Sequence, residues 1–245
     1  MAFVGIQNVQ MYFSHTEQID TQLLEVQHQR QDGCCLPVCL AELVGIMYSK
    51  ETNTPHIRLS SQELIDWVPM VYPEFYQNSR YAIVTGGLYF LHPIHCLDYL
   101  KEGGICEAMH YPFTGLRSPL SNRRTRFEGV KYKCGTTGFT KFRPEMVDVL
   151  VQVLQQCPLF GVLHLDLPFI TLRRGEIYPG PLNIRRNRRM VHAVLITGYG
   201  KVNNTPCLEI KNSWGINWCN AGYGLIGLGA LEWVGYVGDV YRVEP

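Results

Sequence analysis

The chain has 245 residues, 46% of them apolar and 18% charged, and a net charge of +1 at neutral pH. This balance excludes a disordered chain and suits a sizeable core, in one large domain or two small lobes. The near-zero charge excludes a broad electrostatic footprint for nucleic acid, and no apolar run reaches the roughly 18–20 residues that span a bilayer.

Met1–Ser14 has no basic start followed by a long apolar stretch, so it does not read as a secretory signal. The first clear element is a helix over Val38–Tyr48, built on Leu40, Ala41, Glu42, Leu43 and Met47, with Pro37 in its first turn. Ser60-Ser61-Gln62-Glu63 reads as a capping box that opens a helix over Gln62–Trp67. Ser60 is its N-cap, and Glu63 is expected to reach back to the Ser60 backbone. Ile94–Lys101 predicts a third helix, ended by Gly103-Gly104. Leu116–Arg126, with Pro, Ser, Asn and four Arg, is the natural boundary. Beyond it Leu159–Leu165, Ala193–Gly198, Cys207–Lys211 and Tyr223–Leu228 predict short strands bounded by Gly, Pro or Asn. Helices first and strands later argue an α+β fold in two lobes.

Nine cysteines stand at 34, 35, 39, 96, 106, 134, 157, 207 and 219. The odd count and irregular spacing are not those of a secreted disulfide framework. Outside the Cys34–Cys39 cluster each reads as a small buried hydrophobe. Cys35 and Cys39 share a helix face, but no second pair follows at a metal-binding spacing, so no metal and no cofactor is expected. Two basic clusters, Arg123-Arg124-Thr125-Arg126 and Arg185-Arg186-Asn187-Arg188-Arg189, read as solvated loops. The second stands just before His192, where it could favour acidic residues in a bound chain; a nuclear-import patch is the weaker reading.

Three segments carry chemistry. Val26-Gln27-His28-Gln29-Arg30-Gln31-Asp32-Gly33-Cys34-Cys35 ends in a thiol where a helix begins, and the positive end of a helix dipole favours the thiolate. Gln29, six residues upstream, offers an amide donor for an oxyanion formed beside Cys35. Val191-His192-Ala193-Val194 puts an imidazole at the start of an apolar strand, which alone suits a core histidine better than a catalytic one. Lys211-Asn212-Ser213-Trp214-Gly215 puts an amide at a strand end, where it can fix an imidazole tautomer under the cover of Trp214.

Together the three segments resemble the active-site blocks of the papain family of cysteine peptidases, in the family's order. Lys211-Asn212-Ser213-Trp214-Gly215 followed by Trp218 is the most specific part. Leu59–Asp66, Gly86-Gly87, Glu102-Gly103-Gly104-Ile105, Tyr111-Pro112-Phe113 and Arg174–Tyr178 resemble further family marks, so the resemblance covers about Val26–Gly227. It implies one papain-like domain over 1–245. A mainly helical lobe, about residues 20–120, would carry the Cys. An antiparallel β-barrel-like lobe, about residues 121–245, would carry the His and Asn, with the active-site cleft between them. It further implies Cys35 as nucleophile, His192 as general base and acid, Asn212 as the orienting residue and Gln29 as oxyanion donor. Gly86 and Gly87 would pair with the substrate backbone, Val162, Val191 and Ala193 would line the pocket two residues upstream of the cut, and Trp214 would cover the site. Peptide or protein substrates, cystatin-like inhibitors and a monomeric state follow from the same resemblance.

The chain also departs from the family. Leu36-Pro37 follow the nucleophile where Trp-Ala is usual, and Cys219 replaces a Gly. Asp32, Val84, Trp67 and the stretch Ala230–Pro245 lack the cysteines that the family pairs, so no disulfide is expected. That loss and the absence of a signal point to the cytoplasm, whereas the family norm is lysosomal, vacuolar or extracellular. Cys34 and Cys39 compete for the nucleophile's role. Only Cys35 brings Val26, Gln29 and Gly33 all onto family positions; Cys39 would put Gly33, and Cys34 would put His28, where Gln belongs. Three functions stay open: a cysteine endopeptidase, a catalytically weakened or inactive peptide-binding relative, and an acyl-transfer enzyme with the same residues.

Overall fold

The computed structural model describes residues 3, 6, 8–17, 25–30, 33–78, 83–84, 88–117, 127–181 and 191–245. Gly86, Gly87, both arginine clusters and most of the expected boundary segment lie outside the described residues. The helices are α1 (Cys35–Thr52), α2 (Ser61–Val71), α3 (Pro73–Asn78), α4 (Pro93–Glu102), α5 (Val147–Gln156) and α6 (Leu167–Ile170). The strands of the first half are β1 (Val9–Ser14), β2 (Ile83–Val84), β3 (Leu88–Tyr89) and β4 (Lys131–Lys141). Those of the second half are β5 (Leu159–His164), β6 (Ile177–Tyr178), β7 (Val191–Val202), β8 (Thr205–Lys211), β9 (Tyr223–Gly227) and β10 (Leu231–Val243). The predicted helices and strands are all present, each within a few residues of its expected ends.

The chain divides into two units, and neither is continuous in sequence. One comprises residues 1–28 and 139–236, the other residues 29–138 and 237–245. The division falls inside β4 and β10.

The first unit is built on a sheet in which the start of β10 pairs with β5, followed in order by β7, β8, β9 and β6, with β1 added against β7. β7 is buried almost throughout and reads as a continuous apolar run, which is what a strand covered on both faces requires. Its Val194 and Ile196 join Leu163, Leu208, Ile210 and Ile226 in the main core. Val147, Leu150, Val153 and Leu154 recur at helical spacing and lay α5 onto that core. The carbonyl of Leu154 is in turn bonded to the buried His15 ring, 2.5 Å from Nε2.

In the second unit α1 is buried around most of its circumference, so it is a central helix rather than a surface one. Ser60 caps α2 as expected, its Oγ accepting from the Glu63 N–H at 3.1 Å. The other half of the capping box does not form. The Ser60 N–H donates to the Cys106 carbonyl at 2.8 Å, and the Glu63 carboxylate turns inward. There it accepts from the Tyr99 hydroxyl (3.1 Å), the Cys106 N–H (2.9 Å) and the Lys131 ammonium. A fully buried carboxylate takes a cation in preference to one backbone donor, because a charge left unpaired in the interior is the costlier defect.

None of the nine cysteines, all among the described residues, is joined in a disulfide. Burial pushes Cys96 and Cys106 far up, Cys134 and Cys207 to about 12, and Cys219 to about 11, so these five stay protonated and chemically quiet.

Candidate active site

In the second unit Cys35 is the first residue of α1, and Cys34 stands before it as N-cap with no side-chain capping bond. Cys35 is therefore set against the free backbone N–H groups of the first helical turn. Leu36 and Pro37 are buried in that same turn, and the helix runs through them without interruption. Cys34 belongs to the core: it is fully buried, packs with Val38, Ile65 and Phe113, and directs its thiol to the Gly115 carbonyl at 3.8 Å. Cys39 is buried one turn further along α1. Gln29, also buried, lies at the start of this unit.

In the first unit His192 is the second residue of β7, 3% exposed, and its Nε2 lies 2.7 Å from Asn212 Oδ1. The same oxygen accepts from the Ser213 N–H at 2.8 Å. An atom that faces a backbone donor must be the amide oxygen, so His192 carries its proton on Nε2 and leaves the Nδ1 lone pair as its basic site. The Trp214 ring lies 4.7 Å from the imidazole. Two further rings complete the surround: Trp218, of the same sequence block, and Phe169, which has no local signature in the sequence. Phe169 of α6 lies 6.0 Å from His192 and 5.6 Å from Trp214, and Trp218 lies 5.1 Å from Phe169.

The loop after β8 that presents Asn212 is held by the segment before Gln29. Gly215 N–H donates to the Gln27 carbonyl at 3.0 Å, and Lys211 Nζ donates to the Glu25 carbonyl at 3.1 Å. Gly222 closes the loop, its carbonyl accepting from the Asn212 N–H at 2.9 Å. Its φ of +90° is open to glycine, and a Cβ there would stand 2.4 Å from Val26. Sequence alone marks Val26 as a family position; its packing against Gly222 is the physical reason for an apolar side chain there.

Val162 and Ala193 are cross-strand partners on β5 and β7, and Val191 faces the same side by the two-residue alternation. Ala193 is buried, whereas Val191 is 41% exposed. The three therefore share one face, and His192 takes the opposite one.

Burial holds the His192 pKa down to about 4, against a smaller upward pull from the Asn212 hydrogen bond. The imidazole is thus neutral near pH 7, the form that accepts a proton. An unfolded histidine titrates near 6.5, so between about 6.5 and about 4 the unfolded chain binds the extra proton. Stability from this group is complete above 6.5 and lost as pH falls, by about 3 kcal/mol at pH 4. Urea midpoints at pH 7 and pH 4 are expected to fall less in His192→Gln than in the parent; an equal fall would show that His192 does not govern acid stability.

Cys35 thus opens a buried helix of one unit, and the His192–Asn212 pair stands on the sheet of the other. The profile of the papain family cysteine proteases matches residues 14–235, and the chain belongs to that family. It is 26% identical over 206 residues to a cysteine protease of Blomia tropicalis, covering 84% of this chain and 58% of that protein. It is 27% identical over 194 residues to caricain of Carica papaya, covering 79% and 49%. The chain thus spans about half the length of these curated relatives. A Carica candamarcensis cysteine protease solved in complex with E-64 matches with a TM-score of 0.65 at 22% identity, over 95% of this chain and 99% of that one. Procathepsin B of Trypanosoma congolense matches at 0.69 and 18%, over 94% and 77%. These likenesses show the fold to be papain-like.

Proposed function

We propose that the chain is a cysteine endopeptidase that hydrolyses peptide bonds through a thioester on Cys35. The buried His192–Asn212 pair carries this reading, because it holds a neutral imidazole in the one tautomer whose Nδ1 can take a proton. In the first step the Cys35 thiol gives its proton to His192 Nδ1 and the sulfur attacks the carbonyl carbon. The Gln29 amide donates to the oxyanion of the tetrahedral intermediate. The C–N bond then breaks, His192 gives its proton to the leaving amine, and a thioester remains. Water, losing a proton to His192, attacks the thioester and releases the acid and the Cys35 thiol. Asn212 keeps the ring in register throughout. Gly86 and Gly87 pair with the substrate backbone, and Val162, Val191 and Ala193 receive an apolar side chain of the substrate. The E-64 bound by the Carica candamarcensis relative makes an epoxide of that class the natural probe; cystatin-like proteins are the inhibitors to try beside it.

The test is turnover of a peptide substrate library, with mass-spectrometric mapping of the cysteine modified by an epoxide probe. Cleavage with modification at Cys35 is the expected result; modification at Cys34 or Cys39, or none, would overturn the assignment. Gln29→Ala should lower kcat about a hundredfold, since one oxyanion donor contributes that much. Probe labelling should fall less, because epoxide opening forms no carbonyl oxyanion. A peptide-binding relative without turnover would instead label slowly and cleave nothing in the parent.

A further inference from the structure

One buried amide of the helical unit holds a loop on which the chain neighbours of Gln29 and of Cys35 both rest. Gln62, on α2, is 1% exposed. Its Oε1 accepts from the Thr114 N–H at 2.9 Å and from the Gly115 N–H at 3.3 Å. Its Nε2 donates to the Leu116 carbonyl at 2.7 Å. Backbone donors at one end and a carbonyl at the other fix which way the amide points. The Thr114 hydroxyl lies 3.0 Å from Gln62 Oε1 and accepts from the Leu116 N–H at 3.3 Å, so the loop also closes on itself. Two residues rest on this loop. The Cys34 thiol faces the Gly115 carbonyl at 3.8 Å and packs with Phe113. The Arg30 stem lies over Gly115, where a Cβ would stand 3.2 Å from Arg30 Cβ and 3.3 Å from its Cδ. The Arg30 guanidinium carbon lies 5.9 Å from the centre of the Phe113 ring. Arg30 has a φ of +64°, a left-handed backbone that costs an arginine free energy unless its surroundings hold it there.

We propose that Gln62 is a positioning residue: through the Thr114–Leu116 loop and Arg30 it holds the Gln29 amide where the oxyanion forms beside Cys35. The proposal rests on the reading of Cys35 as nucleophile and Gln29 as oxyanion donor. Each link is a contact. Gln62 fixes the loop, the loop holds Arg30 through Gly115 and Phe113, and the left-handed turn at Arg30 sets the backbone direction of the residue before it. Gly115 suits this place because it lacks the Cβ that would press on the Arg30 stem, and because its own φ of +73° favours glycine. Cys35 has a support of its own in the buried helix that it opens. Loss of Gln62 therefore falls on the donor more than on the nucleophile. A donor that acts in the transition state is sensitive to place, and a shift of about 1 Å in such a group can cost up to about a hundredfold in rate.

Gln62→Leu, which keeps the bulk and removes every hydrogen bond of the amide, should lower kcat about tenfold with KM nearly unchanged. Epoxide labelling of Cys35 should fall by less than about twofold, since epoxide opening forms no carbonyl oxyanion. In a Gln29→Ala background the same substitution should take less than about twofold more from kcat, because the group that Gln62 positions is already gone. Thr114→Val, at an exposed position, loosens the same loop without emptying the interior. It should show the same pattern on a smaller scale, and it carries the test if Gln62→Leu does not fold. An equal fall in labelling and turnover, a full tenfold loss in the Gln29→Ala background, or no loss at all would overturn the proposal. The NMR signals of the Gln29 side-chain amide give a readout that needs no turnover. They should move in both variants, and signals that stay in place would end the proposal. Should the parent cleave no peptide, the peptidase reading fails, and these signals alone decide whether Gln62 positions Gln29.

Discussion

Cys35→Ala is expected to abolish both epoxide labelling and peptide cleavage, while Cys34→Ala and Cys39→Ala leave labelling of Cys35 in place. The distinction follows from position. Cys35 begins α1, Cys34 is packed against Val38 and Ile65 with its thiol on a carbonyl, and Cys39 is buried a turn inside the helix. His192→Ala should lower kcat by on the order of a thousandfold or more, because it removes the proton acceptor from a unit whose members act together. The pH dependence separates this from simple damage. In the parent, labelling should rise as His192 loses its proton, near pH 4 to 5, given its pKa of about 4. Without His192, the rate should climb only toward the roughly 8.5 of a free cysteine. Two superimposed rate–pH curves would mean that His192 does not activate Cys35, and the peptide-binding alternative would replace the peptidase.

Lys131→Met should destabilise the chain by about 3–5 kcal/mol, lowering the thermal midpoint by on the order of 10 °C. The Glu63 carboxylate is fully buried and accepts from the Tyr99 hydroxyl, the Cys106 N–H and the Lys131 ammonium, and only the last of these three carries a positive charge. Its removal leaves the Tyr99 hydroxyl and the Cys106 N–H to hold an uncompensated charge. Adding Glu63→Gln to Lys131→Met should recover much of the loss, since a neutral amide needs no cation. Denaturant unfolding of the two single variants and the double variant reads this out. A change under 1 kcal/mol in Lys131→Met would show that the pair contributes nothing measurable.

What could be read from the residues divides along the range of the interactions. α1 and α4 were legible because their apolar runs, Pro37 and Gly103-Gly104 act within a few residues. His192, Asn212 and Trp214 were legible as family blocks, and their mutual contact follows from pairing of β7 with β8. The inward turn of Glu63 was not, because a Ser-x-x-Glu pattern reports the cap and says nothing of a lysine 68 residues away. Phe169 was not, because one phenylalanine in a four-residue helix has no periodicity to betray its partners. α5 is a different case: Val147, Leu150 and Leu154 carry a helical spacing that the strand-rich surroundings obscured.

The interleaving of the two units bears on how the chain is made. Residues 1–28 are translated before the helical unit yet belong with strands that are synthesised after residue 138. The helical unit, translated mostly in the first half, waits for residues 237–245, whose Asp239 and Val240 N–H groups donate to the Glu51 carboxylate at 3.1 and 2.6 Å. Vectorial synthesis therefore completes neither unit early. A nascent chain halted before β7 holds α1 without its last partners and β1 without β7, and its unpaired edges and apolar helix faces are what a chaperone at the exit tunnel would meet.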